Sequence, residues 1–285
     1  MFNYAEAYSE LKDIFSSHMT NAEDRRKYCP PKLVDILGVN SNGVVTAYRY
    51  HMAAHTADGD SFLKRIERDD NTGTVTEHVY YEGLDLKNKG ITPVRCGLMN
   101  CYVIELFCEE KPKKIGYIGN GRVNLANCKA ITEIYGEHSI VIRGSKNDRG
   151  KNKSLFEKYG EVQVDDTEGL ELLNQCDVVI SCTSETDKED VIQHGLEDVP
   201  LIISLDSGFL LGEEFRRNRV CFTDHEEQLA SHYEDEFPYD EEIYEHINLP
   251  TEPVKCDKAW VCLYGVAIAD LVITRHYLKG GGWSE

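Results

Sequence analysis

The 285-residue sequence predicts an α/β protein in which a doubly wound parallel sheet is inserted into an α+β domain. Three observations carry this. From residue 113 onward, short apolar runs alternate with helical patterns, as parallel strands joined by crossovers require. Before residue 113, β-branched and aromatic runs follow one another with only turns between them. The last apolar stretch, 258–280, is too hydrophobic for a free tail and is expected to return and pack on the N-terminal region. The expected division is 1–112 with 263–285 in one domain, and 113–262 in the other.

Residues 1–16 place Phe2, Tyr4, Tyr8, Leu11, Ile14 and Phe15 at near-helical spacing, and "CPPK" at 29–32 stops any helix. Strands are expected at 43–51, 61–68 and 74–81, the last two joined by the tight turn "DDNTG" at 69–73. A helix over about 92–108 leads to the charged hinge "EEKPKK". Strand and helix then alternate: "KIGYIG", "RVNLANCKAITEIY", "SIVIRG", "KSLFEKYG", "EVQVDD" and "TEGLELLNQC", followed by the strands "DVVISCTS", "PLIISLD" and "VCFTD". The acidic run 226–247 reads as a solvated helix and loop. Residues 258–280 read as a helix with a glycine stop.

Lys and Arg number 31 against 50 Asp and Glu, a net charge of −19. Such a field repels phosphate backbones and anionic lipid, so neither nucleic acid nor a membrane surface is an expected partner. No apolar run approaches a membrane span, and the N-terminus has no signal-peptide core, so a cytoplasmic location is expected. Ten cysteines occur with no CxxC pair and no His/Cys ligand spacing, which suits reduced thiols and no metal site.

The stretch "KKIGYIGNGRVN" carries the chemistry. A strand ends at Ile118, Gly119 permits a sharp turn, and Gly121 lets the backbone approach a pyrophosphate. Asn120 lies between them, and Arg122 and Val123 open a helix whose free N–H groups suit phosphate. Asn124 stands where a third small residue is usual. This is a Rossmann-type dinucleotide turn with one altered position. The next strand ends without an acid and offers Arg143, Ser145, Lys146 and Arg149. Cations and a hydroxyl there suit a 2′-phosphate, so NADP(H) is favoured over NAD(H), with surface basic residues as the bland alternative.

Further landmarks stand in a fixed order: "DDNTG" at 69–73, "TPVRCG" at 92–97, "IGNGRVN" at 118–124, "VVISCTS" at 178–184, "SLDSG" at 204–208, "VCFTDHEEQ" from 220 and "YGVAIADLV" at 264–272. Together they resemble the ornithine cyclodeaminase/mu-crystallin family. The resemblance implies a Rossmann domain inserted into a substrate-binding and dimerisation domain, and a homodimer. It implies hydride exchange between a nicotinamide and the α-carbon of a small amino acid, imino acid or amino-acid conjugate. It also implies roles. Arg95, with Thr92 at the same helix start, is the expected carboxylate ligand. Asp206 is expected to handle protons on the substrate nitrogen. Cys182, Thr183 and Ser184 are expected beside the nicotinamide. The family's catalytic lysine on an early strand has no match in "TAYRYHMAAH", which offers Arg49 as a substrate ligand and His51 as a base. Two alternatives stay open: a cyclodeaminase or lyase using the cofactor without net redox change, and a non-catalytic binder of NADP and small ligands.

Overall fold

The computed structural model describes residues 2–39, 41, 45–69, 71–87, 90–145, 149–183, 192, 194–206, 218–225 and 249–280. Lys146, Ser184 and the acidic run 226–247 lie outside the described residues. The chain divides into two compact units, Met1–Arg95 with Val266–Glu285, and Cys96–Gly265. The first boundary falls at 95/96, where the sequence reading had 112/113. The remainder of that helix belongs with the second unit: a Cβ on Gly97 would lie 2.6 Å from Ala130, and Tyr102 Oη donates to Pro250 O at 3.3 Å.

The first unit opens with helices α1 (Tyr4–His18) and α2 (Ala22–Tyr28), capped by Asn3 and Asn21. The apolar stripe of α1, Tyr4, Ala7, Tyr8, Leu11, Ile14 and Phe15, is buried. An antiparallel sheet follows in the order β1 (Leu33–Val39), β2 (Val45–His55), β3 (Ser61–Asp69), β4 (Thr74–Tyr81) and β5 (Leu84–Lys87). The edge strands β1 and β5 were not expected from the sequence; "LVDILGV" lacks the alternation that marks a half-buried strand. Register fixes what each face does. Met52 pairs with Lys64 and Lys64 with Val79; Ala54 pairs with Phe62 and Phe62 with Tyr81. These residues are buried and share one face. Helix α3 (Ile91–Phe107) follows this sheet in the chain.

The C-terminal helix α6 (Ala267–Lys279) packs on α1, β2 and β3. Its last turns clasp the chain's beginning. Arg275 donates to Glu10 Oε1 at 2.8 Å and to Asp60, while His276 Nε2 lies 2.8 Å from Glu10 Oε2. Burial pushes the Glu10 carboxyl up, but Arg275 and His276 outweigh it and hold the group below its ordinary value of 4.5. The Arg275 hydrogen bond likewise holds Asp60 below 3.8. Both carboxyls are depressed in the folded chain, so their stabilisation is fully present above those values and is lost as pH falls through the folded ones. Thermal melts of Arg275→Met and the native chain are therefore expected to differ at neutral pH and to converge in acid.

The second unit is a seven-stranded parallel sheet. In chain order its elements are β6 (Lys114–Ile118), α4 (Arg122–Tyr135), β7 (Ser139–Arg143), the short α5 (Lys153–Phe156), β8 (Val162–Val164), β9 (Val178–Ser181), β10 (Leu201–Ser204), β11 (Val220–Thr223) and β12 (Ala259–Cys262). Across the sheet they run β11-β12-β10-β9-β6-β7-β8. The order reverses between β6 and β9, where ligands bind in open parallel sheets, at the carboxyl ends of the strands. A buried apolar core includes Val141, Leu173, Val179, Ile202 and Trp260.

Two expectations are corrected. Residues 259–262 are a strand between β10 and β11, not the start of the last helix. A four-residue buried run carries no period that separates strand from helix. "TEGLELLNQC" forms only a 3₁₀ turn at Leu173–Gln175, because Leu170 takes a positive φ of 55° and Asp165 Oδ2 accepts from the N–H groups of Leu172 and Leu173 at 2.9 Å each.

Candidate active site

A buried charged cluster forms in the first unit. Lys64, on β3, has a fully buried side chain. Its Nζ donates to Thr92 Oγ1 at 2.6 Å and to Asp270 Oδ1 at 2.9 Å, and lies 3.4 Å from Glu77 Oε2. Thr92 Oγ1 donates in turn to Glu77. Glu77 also accepts the backbone N–H of Ile91 at 3.1 Å and of Thr92 at 3.4 Å, so one carboxylate serves the start of α3 and the lysine together. Burial pushes the Glu77 carboxyl up; the Lys64 charge and these hydrogen bonds outweigh it, leaving the group below its ordinary range. Arg95 Nε lies 3.6 Å from Asp270 Oδ1. Two cations and two carboxylates thus meet in a dry setting, where each charge depends on the others.

The cluster brings together Thr92 and Arg95, both expected from the sequence. It does not include Arg49 or His51. Both sit on β2 at odd positions, and odd residues of β2 and β3 project from the face opposite Lys64. Arg49 Nε donates to Glu67 at 2.8 Å, and His51 Nε2 lies 3.0 Å from Asp35 Oδ2. The structure therefore does not bring these two residues to the cluster. A lysine, absent from β2, stands one strand later on β3. Its signal was present: Lys64 falls between Phe62 and Ile66, and Glu77 between Val75 and Val79, each a charge in the inward register of an alternating strand.

The second unit holds the glycine turn. Gly119 has φ +85°, and a Cβ there would meet Cys182 O at 2.1 Å. A Cβ on Gly121 would meet nothing within 4 Å. The two glycines are therefore needed for different reasons: one for the turn itself, the other for open space in front of α4. Gly121 caps α4 with no side-chain bond to the helix's first N–H groups.

Asn124 is buried behind the turn. Its Nδ2 donates to Ile118 O at 2.9 Å and Gly119 O at 2.6 Å, and its Oδ1 accepts from Asn127 Nδ2 at 2.8 Å. The altered position braces the turn by hydrogen bonds where a smaller residue would let helix and strand approach. Asn120 Nδ2 donates to Lys151 O at 2.6 Å, and Asn152 Nδ2 returns to Asn120 O at 2.9 Å, tying the turn to the loop after β7. Asn124→Ala is expected to take the amide donor from Gly119 O and leave Ile118 O with the Cys182 N–H alone, lowering stability by about 1–3 kcal/mol, measurable by chemical denaturation.

Arg143, expected at a 2′-phosphate, turns its Nη1 to the loop after β8. Its Nη1 donates to Thr167 O at 2.6 Å and lies 3.8 Å from Asp165 Oδ1. Ser145 is exposed just after β7, and Arg149 Nη2 lies 3.5 Å from Glu168. Arg122 is exposed and Val123 half-buried on the first turn of α4. At the carboxyl ends of β9 and β10, Asp206 Oδ2 accepts from Ser181 Oγ at 2.6 Å, Thr183 N at 3.2 Å and Thr183 Oγ1 at 3.1 Å. The structure thus joins Asp206 to Thr183, with Cys182 O against Gly119. One oxygen of Asp206 serves as a turn cap.

Solved structures share this fold. Δ1-Pyrroline-2-carboxylate reductase of Thermococcus litoralis, in complex with NADH and L-proline, is 15% identical over 99% of this chain and 95% of its own, with a TM-score of 0.74. The chain has the fold of the ornithine cyclodeaminase-like proteins. An archaeal alanine dehydrogenase dimer with bound NAD is 15% identical over 99% of this chain and 93% of its own, at a TM-score of 0.72. A probable ornithine cyclodeaminase from Bordetella pertussis Tohama I is 11% identical over 99% and 95%, at 0.71. No protein-family model matches the sequence, and comparison with curated proteins finds no match. The ornithine cyclodeaminase-like fold is therefore carried here by packing and register, with few identical residues. No helix among the described residues is long and apolar enough to cross a membrane.

Proposed function

We propose that the chain is a nicotinamide-linked oxidoreductase acting on the C–N bond of a small amino acid, imino acid or amino-acid conjugate. The observation that carries this is the buried Lys64–Thr92–Glu77 array beside Arg95. Lysine and arginine supply unlike services: the guanidinium grips a carboxylate with two parallel hydrogen bonds, and the ammonium can give up a proton. The dinucleotide, held by Gly119, Asn120, Gly121 and the N-terminus of α4, would supply or accept the hydride. In the reducing direction the hydride's electron pair forms the new bond at the α-carbon. The C=N π pair moves to nitrogen, which takes a proton from Lys64 Nζ. Thr92 and Glu77 hold that ammonium in place. The reverse direction takes the same proton back.

The binder alternative rested on a missing lysine and an altered glycine turn. Lys64 beside Arg95 and the bracing of the turn by Asn124 favour turnover over that alternative. NADP(H) remains the preferred cofactor, because β7 ends without an acid and Ser145 is exposed there. With Arg143 turned to the loop after β8, Ser145 and Arg149 carry the expected phosphate contacts. Titration of nicotinamide fluorescence is expected to give tighter binding of NADPH than of NADH. Equal or reversed affinities would overturn the preference, and no binding of either would overturn the function. A homodimer fits the exposed apolar edge strand β1, where Leu33, Val34, Ile36, Leu37 and Val39 are each 48–68% exposed. Sedimentation velocity reads that state.

A further inference from the structure

Helix α6 contributes to the charged cluster a residue with no role in the reading above. Asp270 lies 206 positions after Lys64 in the chain, and its side chain is fully buried. Its Oδ1 receives Lys64 Nζ at 2.9 Å and faces Arg95 Nε at 3.6 Å. Its Oδ2 is buried, and no hydrogen-bond donor reaches it among the described residues.

Two other buried aspartates of this chain show what a structural role looks like. Asp165 accepts Thr167 N–H on Oδ1 and the N–H groups of Leu172 and Leu173 on Oδ2. Asp224 accepts Tyr264 N–H on one oxygen and Gly265 N–H on the other, at 2.8 and 2.7 Å. Both bind backbone and use both oxygens, as buried acceptors ordinarily do. Asp270 makes no such backbone bond through its carboxylate. It sets one oxygen against the two cations the proposed reaction needs, and the other has no hydrogen-bond partner among the described residues.

We propose that Asp270 is a positioning residue. Its Oδ1 sets Lys64 Nζ in place and fixes its distance from the Arg95 guanidinium. The inference rests on the reading of Lys64 as the proton-handling group. Among the described residues, the charged and polar groups around Lys64 are Thr92 from α3, Glu77 from β4 and Asp270 from α6, with Arg95 of α3 on the same Asp270 oxygen; its cross-strand neighbours, Met52 and Val79, are apolar. Removing the Asp270 charge takes away the carboxylate nearest Lys64 Nζ, which disfavours the ammonium.

The test is Asp270→Asn in protein carrying ¹³C at the lysine ε-carbons. The Lys64 resonance is assigned by its loss in Lys64→Arg. The expected result is a fall of about one pH unit or more in the Lys64 titration midpoint, with the Lys64-dependent limb of the kcat/KM profile moving the same way. An unmoved midpoint in folded Asp270→Asn would overturn the proposal. Asp270→Glu is the second variant. It keeps the charge but shifts its place, so the midpoint should stay near the native value while kcat falls about tenfold. Native kcat in that variant would also overturn the positioning role. Full turnover in Lys64→Arg would overturn the reading of Lys64 instead, while the NMR midpoint would still decide whether Asp270 controls the ammonium.

Discussion

Replacing Lys64 with arginine is expected to leave a folded protein that binds nucleotide and does not turn over. Arginine keeps the positive charge that Glu77 and Asp270 require, but it cannot release a proton at working pH. The expected loss in kcat is about 10³-fold, in the range that positioned proton transfer contributes. Lys64→Met separates structure from chemistry in the other direction. It takes the lysine's charge away from the buried carboxylates of Glu77 and Asp270, and the expected destabilisation is about 3–5 kcal/mol. The pair of variants therefore reads two properties of one side chain. If Lys64→Arg retains turnover while Lys64→Met melts early, the lysine is a structural counter-ion and the proton must come from elsewhere.

The glycine turn gives the second large effect, and its two glycines are expected to fail differently. Gly119→Ala forces a Cβ onto Cys182 O in a left-handed backbone conformation. It is expected to cost about 3 kcal/mol or more of stability and to lose nucleotide binding as a consequence. Gly121 has φ −83°, which any residue adopts, and open space where its Cβ would be. Gly121→Ala is therefore expected to melt within about 1 kcal/mol of the native chain. It should still weaken dinucleotide binding about tenfold or more, because a methyl group occupies the space a pyrophosphate needs. Denaturation curves and nucleotide titrations on the two variants separate these outcomes. Undiminished binding in Gly121→Ala would remove the turn as the phosphate site.

Much of this was legible in the sequence because it depends on short-range rules. Gly119 and Gly121 are recognisable since a strand, a turn and a helix N-terminus make a local demand on residue type. The parallel sheet followed from alternation of element types. What escaped depended on partners far along the chain. Lys64, Glu77 and Asp270 come from β3, β4 and α6, and only the folded register brings them together. The faces of β2 and β3 decide between Arg49 with His51 and Lys64, and a one-residue difference in register reverses that choice. β12 was missed because it is inserted between β10 and β11 from a segment whose apolar run continues toward a real helix. Arg143 has the composition of a phosphate ligand, yet its guanidinium holds the turn after β8. Sequence supplied its charge but not its hydrogen-bond partner. Asn124 shows the opposite case, since a residue that breaks the glycine pattern turns out to brace it.

The central claim is that hydride passes between a nicotinamide held at the glycine turn and the α-carbon of an amino or imino acid. The most direct measurement incubates the protein with NADPH deuterated at the transferable position and a panel of cyclic and linear imino acids, with mass spectrometry of the products. The account predicts deuterium at the α-carbon of at least one amino-acid product, absent in Lys64→Arg. Ammonia released with the cofactor unchanged and no isotope incorporated would point to cyclodeaminase chemistry and contradict the redox assignment. No product and no nucleotide binding would contradict the account as a whole.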